Sequence, residues 1–566
     1  MILRAVPLVH IWHGPLIFMN PLSPMRQKIV LLLLLAVSVN SLAGVRSEIQ
    51  KRLIAEKMLL KSGTRAANGT NKLRTIKSND MLSVIGHETK GYVIVTNDDQ
   101  FPSVIGYSDE PFSTLPPAVE WFLTSANQAM QAVAAGEARY APIPPTAEFP
   151  ESVAPLLTTT WDQGNPYNKF CPGGNGNNSR LFPTGCVATA LAQIMYYHKY
   201  PEVGIGEHQY SFKPASGDGR ILSANFGATH YDWDNMLDSY SSGYTEEQAD
   251  AVATLMLHCG VAVDMMYTAS GSGAYGQETC LALKNYFGYN KNVRIYSRNF
   301  FTAELWMQMI FKELSLKRPI YYSGATERNG GHAFVIDGYD ANGMVHVNWG
   351  WGGSSNGFFD IALLNPAGSG YTKEQQMILG ICDSTVVFPY ESQVLASELA
   401  FNFYGTSSKR VTISGKIYNG AVEKFDGRIA CVLENSDTTI ILKSTDIQLT
   451  PIVGGKWYLT SLSLPSNNLS NIPDGVYRLF VGSLTEDDTR WQLVRTPEDV
   501  VSSFVITKQG DDVTWEESVS DLWTDITPTR QTTTTNTCVY DLQGRKVKSP
   551  GKGVFIRNGK KVVYKK

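Results

Sequence analysis

Cysteine is scarce in this chain: seven in 566 residues, at positions 171, 186, 259, 280, 382, 431 and 538. The number is odd, the spacings are irregular and no C-x-x-C pair occurs, so neither a disulfide framework nor a structural zinc site is indicated. Net charge is also nearly absent. Lys and Arg number 49 against 52 Asp and Glu, leaving −3, and no global polyelectrolyte partner follows from that balance. There is no H-E-x-x-H pair, which removes one common hydrolase signature. One G-x-G-x-x-G does occur, from Gly271 to Gly276. It follows a helical pattern (251–261) where a dinucleotide site needs a strand, so it is set aside.

What is present divides the chain into segments. Met25-Arg26-Gln27-Lys28 precedes an almost wholly apolar run over 29–39, which closes on Ser41-Leu42-Ala43. That is the pattern of a signal peptide over 1–43, with Met25 as an alternative start, and the run is too short to span a membrane. An α+β pattern follows to about Gly136, with strands expected at 92–96 and 104–107 and a helix over 117–134. Five prolines between Pro142 and Pro155 then read as an extended, protease-accessible linker. Residues 44–150 therefore read as a removable pro-segment, with a permanent N-terminal domain as the alternative. Residues 151–392 are rich in Gly, Tyr and Trp and hold every candidate for chemistry. Short β-type runs with sandwich-like spacing occupy 393–510, among them 411–413, 429–433, 457–462 and 477–481. A threonine-rich linker (511–537) leads to a basic module over 538–566. From Leu542 that module has nine Lys or Arg and no acid, yet its interleaved apolar residues read as strands, not as a nucleic-acid arm.

The chemistry is centred on Cys186. Pro183 and Gly185 form a turn that delivers this cysteine to the first turn of a helix, whose buried face is Val187, Ala190, Leu191, Ile194 and Met195. A thiol at a helix N-terminus feels the positive end of the backbone dipole, which favours the thiolate. The competing reading is a small buried apolar residue. A second candidate is His332, at the start of a strand in Gly330-Gly331-His332-Ala333-Phe334. After a turn near Asp340 to Gly343 the chain returns through His346-Val347-Asn348-Trp349. A connecting loop with an odd number of residues puts His332 and Asn348 on one face of the hairpin, where the Asn348 amide oxygen can accept the imidazole N–H. Gln163, some twenty residues before the cysteine, is placed to donate to an oxyanion, with the Cys186 N–H as second donor.

Four stretches together resemble the streptopain-like cysteine peptidases, a papain-like bacterial family. They are Trp-Asp-Gln-Gly-Asn-Pro-Tyr-Asn at 161–168, Gly-Cys-Val-Ala-Thr-Ala at 185–190, Gly-Gly-His-Ala-Phe-Val-Ile-Asp-Gly at 330–338, and His-Val-Asn-Trp-Gly-Trp-Gly-Gly at 346–353. The resemblance covers about 156–385 in collinear order. It implies a two-lobed papain-like α+β peptidase, with Cys186 as nucleophile and His332 as general base and acid. Gln163 and Cys186 would form the oxyanion hole, and Asn348 and Trp349 would orient and shield the imidazole. Gly273, Gly331 and Trp351 would meet the substrate. No metal or organic cofactor is implied. Residues 44–150 are similar to the family's inhibitory propeptide, and the module from Val539 resembles a type IX secretion sorting domain, making the secretion machinery a partner beside protein substrates. The resulting expectation is a secreted cysteine endopeptidase made as a zymogen. Its alternatives are acyl transfer or glutamine hydrolysis with the same residues, or a surface adhesin on a peptidase-like scaffold.

Overall fold

The strand-forming sequence Tyr-Val-Ile-Val-Thr at 92–96 is aromatic or β-branched on both faces. In the computed structural model, which describes residues 44–61, 73–87, 91–110, 112, 117–174, 180–213, 219–326, 330–364, 375–382, 393–405, 409–497, 500–518 and four short strands beyond 538, α1 (Glu48–Lys61) covers a meander of β1 (Arg74–Ser78), β2 (Leu82–Gly86), β3 (Tyr92–Thr96) and β4 (Val104–Ser108). Every residue of β2 and β3 is buried. The expected signal peptide and most of the threonine-rich linker lie outside the described residues. Helix α2 (Pro117–Ala134) has the bounds expected from its periodicity. It buries Ala118, Trp121, Phe122, Ala126 and Met130.

The central segment continues with α3 (Cys186–His198), the hairpin β5 (Glu207–Phe212) and β6 (Arg220–Asn225), α4 (Glu246–Ala262), α5 (Gly276–Asn285), β7 (Arg294–Ser297) and α6 (Ala303–Ser315). It closes with β8 (Ile320–Thr326), β9 (Gly330–Tyr339), β10 (Val345–Asn348), β11 (Gly357–Phe359) and β12 (Gln376–Leu379). These strands and those of the N-terminal unit form one ten-stranded sheet, in the order β1-β2-β3-β4-β11-β10-β9-β8-β12-β7. The joint is the antiparallel pair β4–β11, where Tyr107 meets Phe358 and Gly106 meets Phe359. Ring contacts reinforce it: Phe122 lies 5.1 Å from Phe359 and Trp121 6.3 Å from Phe334. Burial of each such aromatic contributes roughly 1.5–3 kcal/mol.

Two hydrophobic cores flank the sheet. One gathers α2, α6 and the faces of β8, β9 and β11 around Trp306, Phe334 and Phe359. The other gathers α3, α4 and α5 around Trp161, Leu191, Met256 and Phe287. Helix α3 is buried from Val187 to Tyr196 and packs on β9. The proline-rich stretch has no helix or strand. Residues 141–152 are mostly exposed, whereas Val153 is buried and exchanges both backbone hydrogen bonds with Tyr339 at 2.9 Å.

Beyond it stand two antiparallel sheets around one core. The first has three strands: β13 (Val394–Tyr404), β14 (Arg410–Asn419) and β17 (Thr460–Asn468). The second is ordered β16-β15-β18-β20-β21, from β15 (Phe425–Glu434), β16 (Thr439–Leu449), β18 (Gly475–Leu484), β20 (Ser503–Gln509) and β21 (Asp512–Glu517), with β19 (Gln492–Leu493) beside β18. Ile413, Ile417, Ile429, Leu433, Leu479 and Ile506 are buried between them. The expected run at 457–462 is corrected in one respect: the strand begins at Thr460, and Trp457, Tyr458 and Leu459 lie outside it. Strands 539–540, 546–547, 553–557 and 560–564 form a four-stranded sheet. Among the described residues no helix is long and apolar enough to cross a membrane.

Candidate active site

Cys186 is the first residue of α3, and the residue before it explains why. Gly185 has φ +91°, and a Cβ there would lie 2.8 Å from both Met265 Sδ and the Ser272 carbonyl oxygen. Only glycine meets both demands, so the chain turns tightly and the thiol arrives at the helix N-terminus. No side chain caps that end. The Cys186 N–H, as the first of the helix, has no intrahelical acceptor. Thr184 holds the turn from behind: its N–H donates to the Gln163 carbonyl at 3.0 Å and its hydroxyl lies 2.9 Å from that of Thr189.

Burial alone would raise the Cys186 thiol. The charge of His332, a side-chain hydrogen bond to His332, and the backbone N–H groups of Ala333 and Val187 together outweigh it, so the pKa is held below the usual 9.0. The other cysteines show the contrast. Burial pushes Cys171 and Cys280 up to about 12, and Cys259 and Cys431 are raised as well. Of these five cysteines only Cys186 has an imidazole to stabilise its thiolate.

His332 is the third residue of β9, and its Nε2 lies 3.1 Å from the Trp349 carbonyl oxygen. A carbonyl only accepts, so Nε2 carries a proton, and Nδ1 is the atom left to exchange one with sulfur. Trp349 is itself fixed. Its indole N–H donates to the Ser355 carbonyl and its backbone N–H to Asn356 Oδ1, both at 3.0 Å. The rings of Trp349 and Trp351 each lie 6.4 Å from the imidazole centre.

Asn348 is a correction. Its Oδ1 accepts from Gln193 Nε2 at 3.3 Å and from the Gly350 N–H at 3.1 Å, and its Nδ2 donates to the Thr159 carbonyl at 2.8 Å. The amide therefore braces α3 and does not hold the imidazole; the Trp349 carbonyl does. The reason is a β-bulge. The loop between Tyr339 and Val345 does have an odd number of residues, but the register slips between His346 and Val347, so Asn348 faces Val335. A one-residue slip moves a side chain to the opposite face of a strand pair. The extra residue is Asp337, fully buried, which accepts from the Leu157 N–H at 2.8 Å and pairs with His346 Nδ1 at 2.6 Å. His346 is thus structural.

Gln163 is 8% exposed and is joined to the cysteine turn through its backbone. Gly273 and Gly331 both line the cleft beside Cys186 and His332. The Gly273 N–H and carbonyl are already paired with Met266, at 3.3 and 2.9 Å. What it offers a ligand is therefore open space at its Cα, where a Cβ would touch nothing within 4 Å. Trp351 packs by the imidazole and is not among the cleft-lining residues. The cleft has a volume of about 570 Å³, room for several residues of an extended peptide. Sequence reasoning missed Ser355 and Asn356, whose signal was the Gly-Ser-Ser-Asn-Gly turn after the second tryptophan. It also missed Tyr418, Gly455, Trp457 and Leu459, which line the same cleft from the β-domain. Among the described residues no group of three or more His, Cys, Asp or Glu could hold a metal ion.

Residues 161–359 match the Peptidase C10 family. A thiol protease/hemagglutinin, PrtT of Porphyromonas gingivalis, is 34% identical over 371 residues; the match takes in 61% of this chain and 42% of that protein, so it spans under half of that relative's length. Streptopain of Streptococcus pyogenes is 35% identical over 356 residues, 58% of this chain and 88% of streptopain. A solved fragment of prointerpain A from Prevotella intermedia superposes with a TM-score of 0.51 at 40% identity, covering 55% of this chain and 99% of that one. With streptopain 35% identical and matched over 88% of its length, the chain belongs to the Peptidase C10 family, the streptopain-like cysteine endopeptidases.

Proposed function

We propose that this chain is a secreted, papain-like, two-lobed peptidase made as a zymogen, and that it cleaves peptide bonds through Cys186 and His332. The observation that carries the reading is the setting of the Cys186 sulfur, whose thiolate is favoured by His332 and two backbone N–H groups in spite of burial. In the resting pair the proton is on His332 Nδ1. The thiolate attacks the scissile carbonyl carbon, a C–S bond forms and the carbonyl oxygen becomes an oxyanion, met by the Cys186 N–H and the Gln163 side chain. The Nδ1 proton passes to the leaving amine as the C–N bond breaks. His332 then takes a proton from water, the hydroxide adds to the thioester, and the C–S bond breaks to release the acid and restore the ion pair.

In this reading residues 44–150 are the inhibitory propeptide. Its strands extend the peptidase sheet through β4, and the exposed stretch at 141–152 is where a protease reaches the chain. Residues 1–43 direct export and the sheet after 538 serves as a sorting module for the secretion machinery. The Cys186→Ala chain is the test. It should stay uncleaved near 136–155 and lose the one thiol that iodoacetamide alkylates rapidly; self-processing by the purified variant would refute the assignment.

A further inference from the structure

The β-domain lies beyond the segment that matches the peptidase family, which ends at residue 359. It nevertheless builds one wall of the cleft. Tyr418, Gly455, Trp457 and Leu459 line the same cavity as Cys186, His332, Tyr275 and Phe300. The contact is pinned at several points. The Gly454 N–H donates to Glu278 Oε1 of α5 at 3.3 Å, and Lys284 of the same helix pairs with Glu423. Arg495 Nη1 donates to the Phe300 carbonyl at 3.4 Å, and its guanidinium lies 4.4 Å from the Phe301 ring centre. Gly455 has φ +70°, and a Cβ there would approach the Tyr275 ring to 2.7 Å, so the loop before β17 sits directly against the residue that caps α5. Trp457 packs edge-on to Tyr418 at 4.8 Å, and Tyr418 to Phe300 at 5.9 Å.

The wall so formed is apolar and uncovered. Met266 is 52% exposed, Tyr275 48%, Trp457 38% and Leu459 57%. Large apolar side chains clustered on one exposed concave surface mark a binding site. This one is continuous with the space around the nucleophile. We infer that the 453–459 loop of the β-domain is a specificity-determining wall of the cleft, on the α5 side of Cys186, which takes a bulky apolar side chain of the polypeptide substrate. The inference rests on the reading of Cys186 and His332 as the reacting pair. It means that the β-domain is part of the enzyme's recognition surface and more than an appended module. Its wall is built from residues that the family-matched segment does not supply.

The experiment uses the full chain, allowed to process itself, with internally quenched peptides in which each position on either side of the scissile bond is in turn aromatic, branched aliphatic or alanine. Trp457→Ala should lower kcat/KM about tenfold or more for peptides with a large apolar residue at one particular position, with little change for the alanine peptides. Leu459→Ser, at a more exposed position, should shift the same preference by a smaller factor, and it keeps the test open if Trp457→Ala folds poorly. The rate of Cys186 alkylation by iodoacetamide should not move in either variant, which separates a lost wall from a damaged centre. Preference profiles identical to the parent's in both folded variants would overturn the inference while leaving the peptidase reading intact. A parent with neither peptide cleavage nor a rapidly alkylated thiol would overturn that reading, and the inference with it.

Discussion

The imidazole of His332 is held by a main-chain carbonyl, and that changes what single substitutions should do. If the Asn348 amide oriented the ring, its removal would strike the chemical step directly. The structure engages that amide with Gln193, Gly350 and Thr159 instead. Asn348→Ala should therefore cost stability, on the order of 1–3 kcal/mol for buried partners left unpaired, seen as a lower denaturant midpoint. The kcat of the folded enzyme should change much less. A large loss of kcat at unchanged stability would contradict the assignment. The thiol offers a second check. The Cys186 pKa is held below 9.0 against the raising effect of burial, so rapid alkylation should persist below pH 9. His332→Ala removes the opposing charge and leaves the burial, so the midpoint of alkylation against pH should move up. An unmoved midpoint would mean that the imidazole does not stabilise the thiolate.

Among the elements, α3 and the β9–β10 pair decide the geometry, each through one local irregularity. For α3 it is Gly185. Gly185→Ala must place a methyl group in contact with Met265 and the Ser272 carbonyl at a positive φ. The expected cost is about 2–4 kcal/mol, with kcat falling because the sulfur leaves its place; a variant as stable and active as the parent would show that the turn tolerates a side chain. The helix itself was legible, since its apolar periodicity and its Pro-Thr-Gly start are written into residues 183–195. For β9–β10 the irregularity is the bulge at Asp337. Loop parity alone puts His332 and Asn348 on one face, and the loop does have an odd number of residues between Tyr339 and Val345. The slip of one residue arises because Asp337 is drawn inward to His346 across the hairpin and to the Leu157 N–H, a partner from outside it that no local pattern announces.

Across the whole molecule the N-terminal unit, the peptidase segment and the β-domain are joined by contacts that are distant in sequence. Asp360 stands at one joint. Its N–H donates to the Ile105 carbonyl of the N-terminal unit at 2.9 Å, and its carboxylate accepts from the Tyr140 hydroxyl. Burial, only partly offset by Tyr140 and backbone N–H groups, raises its pKa from 3.8 to about 6. A raised folded-state value means that the stability tied to this proton is fully present below about pH 4 and is lost as pH rises through about 6. Asp360→Asn should flatten that part of the stability–pH curve of the unprocessed chain, and the two curves should converge toward pH 4. Parallel curves from pH 4 to 7 would place the Asp360 pKa at its ordinary value. The β-domain joint is the other large-scale feature. Its strands are legible as short β-type runs, but Trp457 to Leu459 read as strand and lie outside one, because aromatic and branched residues read that way whether they pair with a neighbour or face a cleft.

By itself, the sequence determined what is encoded in neighbouring residues: the helix that starts at Cys186, the strand that carries His332, the chemistry a thiol and an imidazole can share, and the order of segments along the chain. Only the tertiary structure decided which atom orients the imidazole, which side of the sheet Asn348 faces, and that a separate β-domain closes one side of the cleft. Local periodicity is a property of adjacent side chains and survives in the linear chain. Bulges and walls between domains depend on partners well over a hundred residues away, such as Leu157 for Asp337 and Glu278 for Gly454, and they exist only once those partners are packed together.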